Sequence, residues 1–229
     1  MMRARAARHR GGMISTDTPA NSPTHSLTSS VARASFTAGP AAFLGGWLLM
    51  RPIGGDLMPG PWWTAAHAVW LLGFLLFGVM VLELRRMAAP TTRGQKAAVW
   101  AVTGVALFSV LANVAQLVID LVAGFTSADG EAMRAVFDQV QGYPGVELVV
   151  YSVGAQLFFV ALLVLAGIMA VLRRVTSLSA VVVAAGLVVL AVAMLGVGRD
   201  SALVAVGMAV LWLGALLLGR GPGTPALSV

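Results

Sequence analysis

Apolar residues in this chain fall in long blocks separated by short polar connections, with polar residues inside the blocks confined to a few helical faces. Crossing the hydrocarbon core of a bilayer takes about 20 residues of helix. Six blocks reach that length, at residues 34–53, 62–84, 97–121, 146–172, 178–197 and 200–219. The pattern predicts an all-α polytopic membrane protein, a bundle of six transmembrane helices over 31–221. Before it, residues 1–30 mix Arg with Ser, Thr, Pro and Gly without apolar periodicity and predict a disordered basic tail. A short C-terminal tail, 222–229, follows.

The first block is read as a helix and not as a cleaved signal peptide, because it runs into Arg51 and Pro52 without a small-x-small exit and further blocks follow. Gly39, Pro40, Gly45 and Gly46 within it predict a kinked or closely packed helix. The last two blocks consist almost wholly of Ala, Val, Gly and Leu. They predict a scaffold hairpin with small-residue faces at Gly186, Gly207 and Gly214, turning over 196–201 with Asp200 or Ser201 as cap.

The longest connection, 123–145, has a pattern of its own. Met133, Val136, Phe137 and Val140 follow i, i+3, i+4, i+7, with Glu131, Arg134, Asp138 and Gln141 elsewhere around the turn. A short amphipathic helix is predicted there, capped by Asp129, stopped by Tyr143, Pro144 and Gly145, and lying apolar side down across the bundle.

Composition agrees with a membrane setting: 59% of residues are hydrophobic and 10% charged, and the mean hydropathy is +0.89. With no cysteine, disulfides, thiolate catalysis and Cys-ligated metals are excluded. The net charge of +6 matters less than where its sources lie. With the N-terminus inside, Arg3, Arg5, Arg8, Arg10, Arg33, Arg85, Arg86, Arg93, Lys96, Arg173, Arg174 and Arg220 are cytoplasmic, against Arg51, Arg134 and Arg199 outside. The positive-inside rule therefore predicts both termini in the cytoplasm and the 123–145 connection outside. The basic balance needs no nucleic-acid partner, since the bilayer accounts for it. Fourteen Arg to one Lys, in an Ala-, Gly- and Val-rich chain, points to a GC-rich bacterial genome and a bacterial plasma (inner) membrane.

Candidate chemistry is confined to a few polar residues inside the spans. Ser109, Asn113, Gln116 and Asp120 recur at spacings of four, three and four, which aligns them in one stripe of the third span. Glu147 and Tyr151 form an i, i+4 pair at the start of the fourth, with Ser152 and Gln156 roughly opposite. His67 lies one turn below Trp63, on a helix face shared with Trp70, Phe74 and Gly78, while Trp62 and Trp63 are read as interfacial indoles. The topology carries His67, Asp120, Glu147 and Tyr151 to the same outer end.

Two readings compete. In one, these groups are interhelical hydrogen-bond partners, each contributing about 0.6 kcal/mol. In the other they line a hydrated cavity open to the outside and lidded by the 131–141 helix, where Asp120 or Glu147 binds a cation or proton beside His67. The second predicts a small transport or solute-binding protein with its site between the second, third and fourth spans, taking a small polar solute or cation. A different class of function is a scaffold or sensor subunit that holds a partner membrane protein, or a second copy of itself, through its basic loops or small-residue hairpin.

Enzymatic motifs are missing: there is no G-x-S-x-G elbow, no H-E-x-x-H helix and no phosphate-binding loop. A lipid-modifying enzyme relying on His67 has no motif behind it, so no catalytic residue is assigned. No metal site or cofactor is assigned either. His67 and two carboxylates lack a ligand-spacing motif, and haem is disfavoured because only one of the three histidines lies in a membrane span, His9 and His25 being in the tail.

Overall fold

Helices follow one another from Pro23 to Gly219 in the computed structural model, which describes residues 23–54, 57–198 and 201–220 and contains no strand among them. They are α1 (Pro23–Met50), α2 (Pro61–Ala88), α3 (Arg93–Thr126), α4 (Gly130–Gln141), α5 (Val153–Val171), α6 (Ser177–Val192) and α7 (Ala202–Gly219). Five stretches among these residues are long and apolar enough to cross a membrane: Pro61–Ala88, Arg93–Thr126, Glu147–Val171, Ser177–Gly196 and Ala202–Gly219. The first helix falls short of that standard, since Ser, Thr, Gly, Arg33 and Pro40 dilute its apolar residues.

That helix also begins earlier than expected, at Pro23, so residues 23–30 of the predicted tail are helical. Proline's fixed φ suits the first helical position. A helix already formed over 34–50 extends toward its N-terminus without a second nucleation cost. Residues 1–22 with His9, the predicted tail at 222–229, Asp200, and the side chain of His25 lie outside the described residues.

Successive long helices run antiparallel, so the molecule has two ends. At one, basic residues concentrate. Thr92 accepts from the Gln95 amide in a capping box that starts α3. Arg174 donates to the Ala88 carbonyl at 3.2 Å and the Ala89 carbonyl at 3.1 Å, closing the C-terminus of α2. The Arg85 guanidinium lies 4.2 Å from the centre of the Trp100 ring. The other end carries α4.

Between the ends the core is aromatic. Phe43, Phe74, Phe77, Phe158 and Phe159 pack edge-on or tilted, with ring centres 4.8 to 6.0 Å apart. Small residues let the backbones approach around them: a Cβ at Gly73 would lie 3.2 Å from the Ala42 Cβ and 3.3 Å from the Gly39 carbonyl. In the α6–α7 hairpin the glycines face inward. A Cβ at Gly207 would come 2.8 Å from the Leu190 nitrogen, and one at Gly214 2.8 Å from the Val183 nitrogen. The small-residue faces at Gly207 and Gly214 therefore pack against the partner helix inside the hairpin.

Two spans are not uniform α-helix. A π-helical turn, Glu147–Ser152, precedes α5, and another, Ala193–Val197, follows α6. The first turn is held open by Gly154, where a Cβ would overlap the Val149 carbonyl. It changes which side chains align at the start of α5, and with them the site.

Candidate functional site

Helix α4 is tied to the bundle by its apolar stripe. Asp129 caps it, accepting from the Ala132 amide at 2.9 Å, and Gly130 lies close against the Leu57 carbonyl. Met133 and Phe137 are buried, packing with Trp63 and Ala123 and with the partly buried Met50, Ile53, Leu57, Ile119, Val136 and Tyr151. Beyond α4, Gly142 ends the helix and Gly145 takes a left-handed φ of 83° that turns the chain back toward α5.

Beneath α4, Trp63 organises the end of the bundle. Its neighbour Trp62 is 47% exposed, whereas Trp63, expected to be interfacial as well, is 5% exposed and packs inside the protein. The Trp63 Nε1–H donates to the Asp120 backbone carbonyl at 2.9 Å, joining α2 to α3. Room for the indole depends on Gly124, where a Cβ would lie 2.6 Å from the Trp63 Cδ1 and 2.9 Å from its Nε1. The His67 ring stacks on this indole, with centres 4.0 Å apart and planes at 25°.

His67 and Asp120 are 3% and 5% exposed, the two most deeply buried titratable side chains of the site. The His67 Nδ1 is 2.7 Å from the Trp63 carbonyl, which can only accept, so Nδ1 carries the hydrogen. Its other nitrogen, Nε2, is left facing Asp120 Oδ2 at 3.6 Å. That separation is within ion-pair range but beyond a direct hydrogen bond. Neither group meets another charged side chain at ion-pair distance among the described residues.

The pair forms the floor of a cavity of about 380 Å³ between α2, α3, α4 and the π-helical turn. Trp63, Phe137 and Tyr151 form its walls with Met50 and Leu57, and Gln116 adds an amide. Arg134, Asp138 and Gln141, at i, i+4 and i+7 on α4, form the rim. The Tyr151 hydroxyl is buried and has no hydrogen-bond partner among the described residues. One turn further along α2, the Trp70 ring meets His67 edge-on at 5.2 Å and packs against the phenylalanine core.

The remaining predicted site residues are elsewhere. Ser109, fully buried, donates from its Oγ toward the Gly154 carbonyl at 2.6 Å and the Ala155 carbonyl at 3.0 Å. Asn113 Nδ2 donates to the Ser109 carbonyl at 2.8 Å and to the Ala155 carbonyl at 3.1 Å. These two side chains hold α3 to α5, and their donors are spent on backbone carbonyls. Glu147 is exposed and accepts from Ser152 Oγ at 3.0 Å. Five residues separate that pair, a spacing that the wider π-helical turn brings into line and that a 100° helix does not. Gln156, expected beside Ser152, is exposed.

Arg134, Asp138 and Gln141 are lining residues that the sequence does not single out. Their polar spacing is visible, but which side of an amphipathic helix borders a cavity depends on its docking angle. Trp63 carries one signal, its position four residues before His67 on a helix. No protein family matches this chain, and comparison with characterised proteins and with solved structures gives no match.

Proposed function

We propose that this chain is a small transport or solute-binding protein of a bacterial plasma membrane, taking a small polar or cationic solute into the cavity floored by His67 and Asp120. In this reading the α4 end faces outward and both termini are cytoplasmic. Among described residues, Arg33, Arg85, Arg86, Arg93, Lys96, Arg173, Arg174 and Arg220 belong to the basic end against Arg51 and Arg134 at the other, which supports that orientation. Helix α1 is the sixth span: its 28 residues extend about 42 Å at helical rise, and it packs on both α2 and α7.

The observation that carries the reading is a buried imidazole and carboxylate 3.6 Å apart, beyond a direct hydrogen bond, lining an open cavity together with the unpartnered Tyr151 hydroxyl. Interhelical glue has the form seen at Ser109 and Asn113, where donors reach carbonyls at hydrogen-bond distance. The His67–Asp120 contact stays at 3.6 Å with Tyr151 unsatisfied nearby. Buried polar groups without partners cost stability, and a ligand that completes them offsets that cost.

The test is uptake or exchange of a solute panel (monovalent cations, small amines, zwitterions and polyols) in proteoliposomes containing the purified chain. At least one solute is expected to enter, with Asp120→Asn abolishing entry while inserting normally. Uptake that proceeds unchanged in a correctly inserted Asp120→Asn protein defeats the reading.

A further inference from the structure

Resting on the solute-site reading above, we infer that the solute is an organic ammonium cation, and that it enters the cavity in exchange for one proton held between His67 Nε2 and Asp120. The first step is a proton count. With Nδ1–H committed to the Trp63 carbonyl, an empty Nε2 would turn its lone pair toward the Asp120 carboxylate. Both groups are buried, and an unneutralised carboxylate there would face the Nε2 lone pair at 3.6 Å with no cationic partner among the described residues. One proton between the two sites removes the conflict, as an imidazolium–carboxylate pair or as a neutral imidazole and a carboxylic acid. In either form the pair is neutral overall.

The charged and titratable groups facing the pair leave that count unchanged. Helix α4 contributes Arg134 and Asp138, four residues apart at the rim and opposite in sign; the π-helical turn contributes the neutral Tyr151 phenol, with Glu147 outside the cavity and bonded to Ser152. Among the described residues, α1 and the connection after it contribute Met50 and Leu57. Among the described residues, the acceptor able to take a new positive charge beside His67 is Asp120.

The walls specify the kind of cation. No three His, Asp or Glu side chains converge among the described residues, so a small metal ion would lose its water without a replacement shell of oxygens. The cavity that Asp120 lines is also lined by three aromatic rings: the Phe137 ring centre is 6.3 Å from that of Trp63 and 6.4 Å from that of Tyr151. A carboxylate sharing a cavity with aromatic rings and apolar side chains suits an ammonium head bearing carbon substituents. The cavity, about 380 Å³, falls in the range of small-ligand sites.

The exchange balances. One ammonium brings a positive charge to Asp120, the proton leaves through the mouth to solvent, and the site keeps the same net charge. No covalent bond forms or breaks.

The full-length chain, purified in detergent, is titrated with tetramethylammonium chloride by calorimetry near neutral pH in two buffers of different protonation enthalpy. The expected result is saturable binding with about one proton released per cation, absent with sodium chloride and lost in Asp120→Asn. Phe137→Leu is expected to weaken binding about tenfold by removing one aromatic face. The proton count requires no variant, so a substitution that fails to fold leaves the test intact. Binding without proton release overturns the exchange while the site reading stands. No tetramethylammonium binding, alongside Asp120-dependent binding of another solute, overturns the ammonium assignment and again spares the site. A chain that responds to no solute through Asp120 loses both.

Discussion

Trp63 and Gly124 offer a double-mutant cycle whose sign follows from two distances. Adding a methyl at Gly124 would place a carbon 2.6 Å from the Trp63 Cδ1 and 2.9 Å from its Nε1, where carbon contacts normally relax at about 3.5–4.0 Å. The indole is pinned by its hydrogen bond to the Asp120 carbonyl and by the stacked His67, so it yields only by breaking one of them. Overpacking of this kind costs about 1–3 kcal/mol. Trp63→Phe alone loses the hydrogen bond, about 0.6 kcal/mol in membrane proteins, and part of the ring stacking, about 0.5–1.5 kcal/mol. It also removes the pyrrole edge that the added methyl would strike. In the Trp63→Phe background, Gly124→Ala is therefore expected to be nearly neutral, which gives a coupling of about 1–3 kcal/mol between the two sites. Reversible unfolding in mixed micelles, followed by helical circular dichroism for the wild type, both singles and the double, measures it. Costs that add to within about 0.5 kcal/mol would show that Gly124 does not confine the indole, and the account of how Trp63 fixes His67 would be wrong.

Other expectations are simpler. Gly207→Ala should destabilise the α6–α7 hairpin by about 1–3 kcal/mol, seen in the same unfolding assay, because the added carbon meets Leu190 backbone 2.8 Å away; an unchanged transition would mean that the glycine seam is not tightly closed. Gly154→Ala should cost a similar amount by forcing out the π-helical turn, and should loosen the Ser109 and Asn113 contacts to the carbonyls of residues 154 and 155, with faster amide exchange over 152–159 as the readout. Glu147→Gln should leave solute binding and uptake unchanged, since the carboxylate is exposed and bonded to Ser152; loss of binding would return it to the site. Because the chain has no cysteine, Gln141→Cys and Thr91→Cys report orientation cleanly. A membrane-impermeant maleimide added outside intact cells should label the first and not the second.

The helices are legible in the sequence because an apolar block of about twenty residues is the length that a bilayer-crossing helix demands and that a soluble core seldom uses. The third-span stripe is legible for the related reason that an uninterrupted α-helix keeps 100° per residue, so Gln116 and Asp120 do face the same cavity. The same assumption fails after residue 146. A π-helical turn moves every later side chain around the axis, and it is set by Gly154 packing on the Val149 carbonyl, a contact with no period to detect. Helical spacing accordingly puts Glu147 with Tyr151, whereas it pairs with Ser152. Trp63 looks interfacial in sequence because it is an indole next to Trp62 at a helix start, and only the tertiary partner at Asp120 shows that it is buried. Ser109 and Asn113 lie on the stripe but below the cavity floor, where their donors meet α5 backbone. Depth along a helix is predictable from rise, yet where a cavity ends depends on the aromatic packing beneath it.

The central claim is that Asp120 belongs to a solute site, and solute-dependent melting of the wild type and Asp120→Asn in detergent tests it most directly. A solute that binds only the folded state adds about 2.7 kcal/mol at one hundred times its dissociation constant, enough to raise the melting temperature measurably. The account predicts at least one small polar or cationic solute that raises the melting temperature of the wild type and leaves that of a folded Asp120→Asn protein where it was. If every solute that shifts the wild type shifts Asp120→Asn equally, the His67–Asp120 pair is structural and the claim is contradicted.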